Sequence, residues 1–382
     1  MSADPARAVG PLTPSSVPPL GPSPSRFIFT GSGSEYFRIW VVNLVLTVLT
    51  LGIYSAWAKV RRARYFWQNT RLEGHVFDYH GRPISILRGR IFALVLLAAY
   101  SWAFQFSTRA GLVTVAVLCA VGPWLFMRAQ QFKLGNTSFR GLRFGFRAKS
   151  SEAYRVVLPV LVLWLSPAVL FAVFGEYRQP ILIFSLLTVV FIPWMHHRLK
   201  AYQHGRATYG DRHFAFGRVT RHFYGVYVKG LIFVVLGAVL GGVGLGTAFY
   251  LLEMEAGIPG TIAKVIFGAG FALVTYVFAW PYLAARLQQV VWTSTHLPGV
   301  SFWTECKAGT LFGIVFMNVA LTLLTCGLYW PFGAVALARY RIGCMRVASI
   351  VPLDTFAAGL HAGSVTAAGD DALDSFGLDL GI

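Results

Sequence analysis

Six stretches of this chain, residues 91–106, 110–127, 156–174, 181–195, 231–252 and 265–283, are almost continuously apolar and hold no Asp, Glu, Lys or Arg. Such runs approach the roughly 17–25 residues a helix needs to cross bilayer hydrocarbon, and polar flanks that snorkel extend the shorter ones. No soluble fold buries so much continuous apolar sequence. The composition agrees, with 56% hydrophobic and 13% charged residues and a mean hydropathy of +0.60. The chain reads as an integral membrane protein.

A net charge of +18 would suit a nucleic-acid partner if the bases lay on a soluble face. They do not. The runs pair into three hairpins whose turns, near residues 107–111, 175–180 and 253–264, hold only Arg109, Arg178 and Lys264 as bases. The connecting segments 59–90, 128–155, 198–229 and 286–307 hold 24 Lys and Arg. Loops retained in the cytoplasm collect basic residues, so these segments are expected inside, against anionic lipid headgroups, and no nucleic-acid partner is expected. The four cysteines include no C-x-x-C pair, and nine histidines include no ligand set with carboxylate or thiol, so no metal or cofactor is expected.

An internal repeat organises the chain. Four apolar units leave the membrane at an aromatic residue followed four positions later by arginine: Trp57 and Arg61, Trp124 and Arg128, Trp194 and Arg198, Tyr282 and Arg286. These are expected to be interfacial anchors, the ring at headgroup level and the guanidinium on phosphate. About 13 residues further comes a threonine, then glycine, then two alternating aromatics: Thr70, Gly74, Phe77 and Tyr79; Thr137, Gly141, Phe144 and Phe146; Thr295, Gly299 and Phe302. A copy with shifted spacing reads Thr208, Phe214 and Phe216. The alternation predicts short cytoplasmic β-strands or hairpins between the membrane segments. The fold class is therefore an all-α polytopic membrane protein built from units near 27–80, 81–146, 147–216, 217–302 and 303–347. Outside this 26–347 domain, the Pro-rich residues 1–25 and the acidic residues 351–382 read as disordered tails.

The first and last units are the most alike, with eleven identities in 23 positions between Asn43–Tyr65 and Asn318–Tyr340. The run from Phe29 through Gly31, Ser32, Glu35 and Tyr36, with Asn43 and then Thr50-Leu-Gly-Ile-Tyr-Ser-Ala-Trp57-Ala-Lys-Val-Arg61-Arg-Ala-Arg64-Tyr65, resembles the YjgN-like family of bacterial inner-membrane proteins. The resemblance implies a multi-pass protein of the bacterial inner membrane. It supplies no activity and no catalytic residues.

Two features bear on function. Asn43, Thr47, Thr50 and Tyr54 recur at helical spacing, and Asn318, Thr322, Thr325 and Tyr329 repeat the pattern. The plain reading of these polar stripes is helix packing; the sharper one is a central site lined by both. The second feature is a topological conflict. Segments 36–57 and 308–333 are long enough for one crossing each, yet the flanking strands argue that both ends lie on one side. Single crossings are preferred, because lipid-exposed backbone outside a helix is costly, and they give about eight membrane segments. With no charge within the apolar runs, a proton- or ion-driven pump is disfavoured. The expected function is a non-enzymatic membrane component that organises lipid or protein partners; the alternative is a facilitative small-molecule transporter or channel.

Overall fold

The computed structural model describes residues 24–254 and 260–350; the tails expected over 1–25 and 351–382 lie outside them but for Pro24 and Ser25. From β1 (Ser25–Phe29) the chain runs up α1 (Gly33–Leu49), returns along α2 (Ser55–Gln68), and forms β2 (Thr70–Leu72) and β3 (His75–Tyr79). The same excursion follows through α3 (Pro83–Phe106), α4 (Thr108–Gly135), β4 (Thr137–Phe139) and β5 (Leu142–Phe146). It continues through α5 (Ser150–Val173), α6 (Arg178–Val189), α7 (Ile192–Gly205), β6 (Ala207–Tyr209), β7 (Arg212–His213) and β8 (Ala215–Phe216). The last two are α8 (Thr220–Met254), α9 (Gly260–Thr293), β9 (Thr295–Leu297), β10 (Val300–Thr304), and α10 (Ala308–Leu324), α11 (Trp330–Gly343), β11 (Met345–Ser349).

The strands do not act as separate seals. They join edge to edge in one antiparallel sheet, ordered β7-β6-β5-β4-β3-β2-β1-β11-β10-β9-β8. β7 runs into β8 through Phe214, pairing on one side with β6 while β8 pairs with β9, so the ends of the order meet. Counting β7 and β8 as one strand turns the eleven into ten, arranged as five hairpins in a ring. The fifth hairpin is made by β11 and β1 from opposite ends of the described chain.

Strand alternation fills the ring. Each leading strand turns its third side chain inward (Leu72, Phe139, Tyr209, Leu297, Val347), and each trailing strand turns in a phenylalanine: Phe27, Phe77, Phe144, Phe214 and Phe302. An eight-stranded barrel is just wide enough for side chains to fill, so a wider ring needs large ones. The rings interlock, with centroids 4.4 Å apart for Phe77 and Phe139, 4.8 Å for Phe144 and Tyr209, and 6.1 Å for Phe27 and Phe77. The threonine ahead of each hairpin ends the preceding helix: Thr70, Thr137 and Thr295 donate Oγ1 to Phe66 O (2.8 Å), Lys133 O (3.0 Å) and Val291 O (2.8 Å). In the third unit this place belongs to Ala207, not Thr208, which removes the shift in spacing read from the sequence.

Among the described residues five helices are long and apolar enough to cross a membrane: α3, α4, α5, α8 and α9. A sixth span is possible if α6 and α7, bent by 45° at their junction, act as one. The eight single crossings expected from the sequence are not found. β1 and β2 are neighbours in the sheet, as are β10 and β11, so residues 36–57 and 308–333 each leave and return on the sheet side. They are helical hairpins with both ends at the sheet. His196 Nδ1 against Tyr227 OH (2.9 Å) and His204 Nδ1 against Thr295 Oγ1 (3.1 Å) tie α7 to α8 and β9, which gives those histidines a packing role. Among the described residues no group of three His, Cys, Asp or Glu could hold a metal.

Candidate functional site

The two reversals are built alike, and their chemistry answers the objection to non-helical backbone in lipid. In the first, Leu51 and Gly52 take φ of 49° and 92°; in the second, Cys326 and Gly327 take 48° and 93°. Glycine is the residue that tolerates such angles, which is why both copies carry it. Every amide through the first turn has an acceptor. Thr50 N–H donates to Leu46 O (3.0 Å), Leu51 N–H to Val48 O (3.1 Å), Gly52 N–H to Thr47 O (2.8 Å), Ile53 N–H to Thr50 O (3.1 Å) and Ser55 N–H to Gly52 O (3.1 Å). The remaining amide, Tyr54 N–H, is taken by Thr50 Oγ1 at 2.9 Å, and that hydroxyl donates in turn to Leu46 O at 2.7 Å. Thr325 does the same between Tyr329 N–H (2.9 Å) and Leu321 O (2.7 Å). The break therefore leaves no amide of the turn without an acceptor, which lowers its cost in hydrocarbon.

This local structure also redefines the polar stripes. Helix α1 ends at Leu49 and α10 at Leu324, so Asn43, Thr47, Thr50 and Tyr54 do not continue down one helical face; nor do Asn318, Thr322, Thr325 and Tyr329. Thr47 and Thr322 supply carbonyls to the turn, Thr50 and Thr325 supply its hydroxyls, and Tyr54 and Tyr329 begin the returning helices. Tyr54 stacks on Trp57 (6.1 Å) and Tyr329 on Phe332 (5.5 Å). Asn318 Nδ2 donates to Gly333 O (3.3 Å), joining α10 to α11, whereas Asn43 is buried in α1 with no hydrogen-bond partner on its Oδ1. The threonines of both stripes thus serve the turns, and Asn318 alone of the stripe residues bonds from one helix of its hairpin to the other.

The turns end in bare apolar tips, Leu51 being 95% exposed and Leu324 80% exposed. They also stop short. At 1.5 Å per residue, Arg38 to Leu49 on α1 spans about 17 Å and Lys59 follows Leu51 by about 12 Å, whereas Lys229 to Leu251 on α8 spans about 33 Å, against a hydrocarbon core of about 30 Å. Because β1 pairs with β11, the two short hairpins are neighbours, with Phe37 on α1 against Phe332 on α11 at 5.5 Å. One side of the bundle is thus about twice as tall as the adjoining side.

At the base of the bundle lie the aromatic and arginine pairs. Arg128 sits over Trp124 (5.4 Å) and Arg198 over Trp194 (4.9 Å), an attraction between cation and ring quadrupole. Arg61 lies over Tyr54 (5.9 Å) instead of Trp57, and Arg286 bonds Gln289 (3.0 Å) while Tyr282 stacks on Phe233 (4.6 Å). The four pairs therefore make their own contacts within the protein, which the expectation of guanidinium on phosphate did not include.

Sequence reasoning missed one further feature. A cavity of about 510 Å³ on the outer wall of the ring is lined by His75, Asp78, His80, Ser138, Arg140 and Arg143. His80 Nε2 and Ser138 Oγ share a hydrogen bond of 2.8 Å, Asp78 lies 3.8 Å from His80 Nδ1, and Arg140 pairs with Glu73 at 2.8 Å. Asp78 faces Ser138, and Ser138 faces Arg143, across the ladders. The only signal was the outward half of each alternation, which cannot be assembled without knowing that β3 and β4 are neighbours.

The family model described as a bacterial protein of unknown function, DUF898, matches residues 24–375. The chain is 33% identical over 144 residues to the inner membrane protein YjgN of Salmonella typhimurium and 32% identical over 144 residues to that of Escherichia coli K12. Each match covers 36% of this chain and 35% of the relative, so about a third of the length of these relatives is matched. No solved structure matches the chain.

Proposed function

The chain belongs to the DUF898 family of bacterial proteins of unknown function, and from that premise we propose that it is a non-enzymatic component that organises lipid around itself. It is a multi-pass protein of the bacterial inner membrane. In this reading the sheet ring faces the cytoplasm, the five hairpins descend from one duplicated unit, and the basic connectors gather anionic headgroups. The single observation that supports it is the neighbouring pair of exposed apolar tips on hairpins about half as long as the spanning helices. In this reading the tips end partway across the hydrocarbon and must be covered by acyl chains, so the opposite leaflet dips over one side of the protein and stays level on the other. The conduit alternative needs the stripe hydroxyls to face a shared solvated space; Thr50 and Thr325 bond instead within their own turns.

The test is depth. With Cys326 kept as the sole cysteine, a nitroxide there in reconstituted vesicles is expected to collide readily with oxygen and barely with a water-soluble nickel chelate, and likewise for Leu51→Cys in a cysteine-free chain. Free access of the chelate to either tip would end the lipid-organising reading. In this reading the basic connectors form a belt around the protein, which gives a second expectation. In vesicles of equimolar phosphatidylglycerol and phosphatidylcholine, the lipid retained by the purified chain should be enriched in the anionic species. At about 1 kcal/mol per basic residue, roughly fivefold each, the enrichment should fall in Arg155→Gln and Lys229→Gln and fade as salt shortens the Debye length. Equal retention of the two lipids by the unaltered protein would remove the belt from the proposal.

A further inference from the structure

We propose that Cys306 and Cys344 form a redox-active dithiol, a modification site at which a peroxide or a small disulfide oxidises the pair and ties the two ends of the hairpin of α10 and α11 together. Strand register brings them to one another. β10 and β11 pair through Thr304 and Met345, and the ladder runs one step further as Glu305 N–H donates to Cys344 O at 3.0 Å. Cys306 lies one residue beyond that bond, where the chain has left β10 and is no longer held to the alternation of the sheet. Cys306 is buried, and Cys344 packs on the same apolar cluster with Tyr340 and Leu337. The segment is pinned by Tyr340, whose hydroxyl accepts from Lys307 N–H (2.9 Å) and donates to Lys307 O (3.1 Å).

The two sulfurs differ in character. The neighbouring Cys306 thiol, with Tyr340 and Arg346 close by, draws Cys344 below the ordinary thiol value. The proximity of Cys344, together with burial, pushes Cys306 up. Cys344, the more exposed of the two, is thus the attacking thiolate, and Cys306 the resolving thiol. With hydrogen peroxide, the Cys344 thiolate attacks one oxygen, the O–O bond breaks, and hydroxide leaves a sulfenic acid behind. Cys306 then gives up its proton and attacks the Cys344 sulfur; the S–S bond forms as the S–O bond breaks. The two hydroxides take up the two thiol protons, so two thiols and one peroxide yield a disulfide and two waters. The closed loop encloses all of α10 and α11, so oxidation fixes the base of that hairpin.

The test uses the purified full chain with hydrogen peroxide, and separately with oxidised glutathione, followed by peptide mapping. The expected product lacks two hydrogen atoms, carries a link between Cys306 and Cys344, leaves Cys119 and Cys326 as thiols, and reverts with dithiothreitol. Alkylation of Cys344 should reach half its maximal rate at a pH below the roughly 8.5 of an ordinary thiol, the thiolate gaining as pH rises. In Cys306→Ala the peroxide product should stop at a sulfenic acid that dimedone traps, and the alkylation midpoint should move upward. The mapping of the unaltered chain stands even if that variant folds poorly. No link after oxidation, a stable sulfenic or sulfonic acid on Cys344 in the unaltered chain, or a link through Cys119 or Cys326 would overturn the assignment.

Discussion

Thr50→Val and Thr325→Val are each expected to destabilise the protein in lipid nanodiscs by about 2–4 kcal/mol, read as a lowered midpoint of thermal unfolding. Valine keeps the shape of threonine and removes only the hydroxyl. Leu46 O still accepts from Thr50 N–H, so the lost donor matters little; the lost acceptor orphans Tyr54 N–H beside an apolar tip. Where water could reach that amide the loss would shrink to well under 1 kcal/mol, because solvent would replace the hydroxyl. Serine restores the acceptor, so Thr50→Ser should recover most of the stability. The two turns belong to different hairpins, and the double valine variant should lose nearly the sum. A small effect in nanodiscs would move the tips out of hydrocarbon.

Phe77→Ala is expected to cost about 3–5 kcal/mol, a large part of the roughly 5–15 kcal/mol that keeps a typical protein folded, so little intact protein should survive extraction. Its ring packs between Phe27, Phe139 and Phe144 and touches Trp67 at 5.6 Å, so truncation hollows the ring at the contact of three hairpins. Phe77→Leu keeps much of the volume and should cost about 1.5 kcal/mol or less. Phe316→Ala on α10 is the control, since that ring is over half exposed where lipid takes the place of protein neighbours. Equal losses at Phe77 and Phe316, measured by yield and by unfolding midpoint, would contradict a core inside the sheet ring.

The legible parts of the sequence were those whose physics is local. Apolar length marked α3, α4, α5, α8 and α9, and the alternation around Phe77, Phe144 and Phe302 marked strands, because each property is decided within a few residues. The sheet was not legible as one object. Its closure depends on β1 meeting β11, a pairing of Arg26 with Arg346 that no local pattern announces. The reversals were misjudged for a different reason. Thr50-Leu-Gly52 and Thr325-Cys-Gly327 are where the sequence places a break if both ends share one side, and single crossings were preferred because the expected cost of a break assumed unsatisfied amides. The threonine hydroxyl and the bond from Gly52 N–H to Thr47 O remove that cost. The spacing of Asn43, Thr47, Thr50 and Tyr54 was real but belonged to a turn, and the cavity at Asp78 and Ser138 exists only through strand register.

The partnership of β1 with β11 also governs how the molecule is made. Translation at about 5–20 residues per second puts roughly 15–60 s between the emergence of Phe29 and of Met345. Throughout that interval the nascent sheet has two raw edges, the kind of surface that invites pairing with another chain. Every membrane helix has been threaded before the final strand arrives to fasten the circle. A ribosome that stalls before Met345 therefore leaves the described helices inserted but the circle unlatched, and it is β11 that closes the ring.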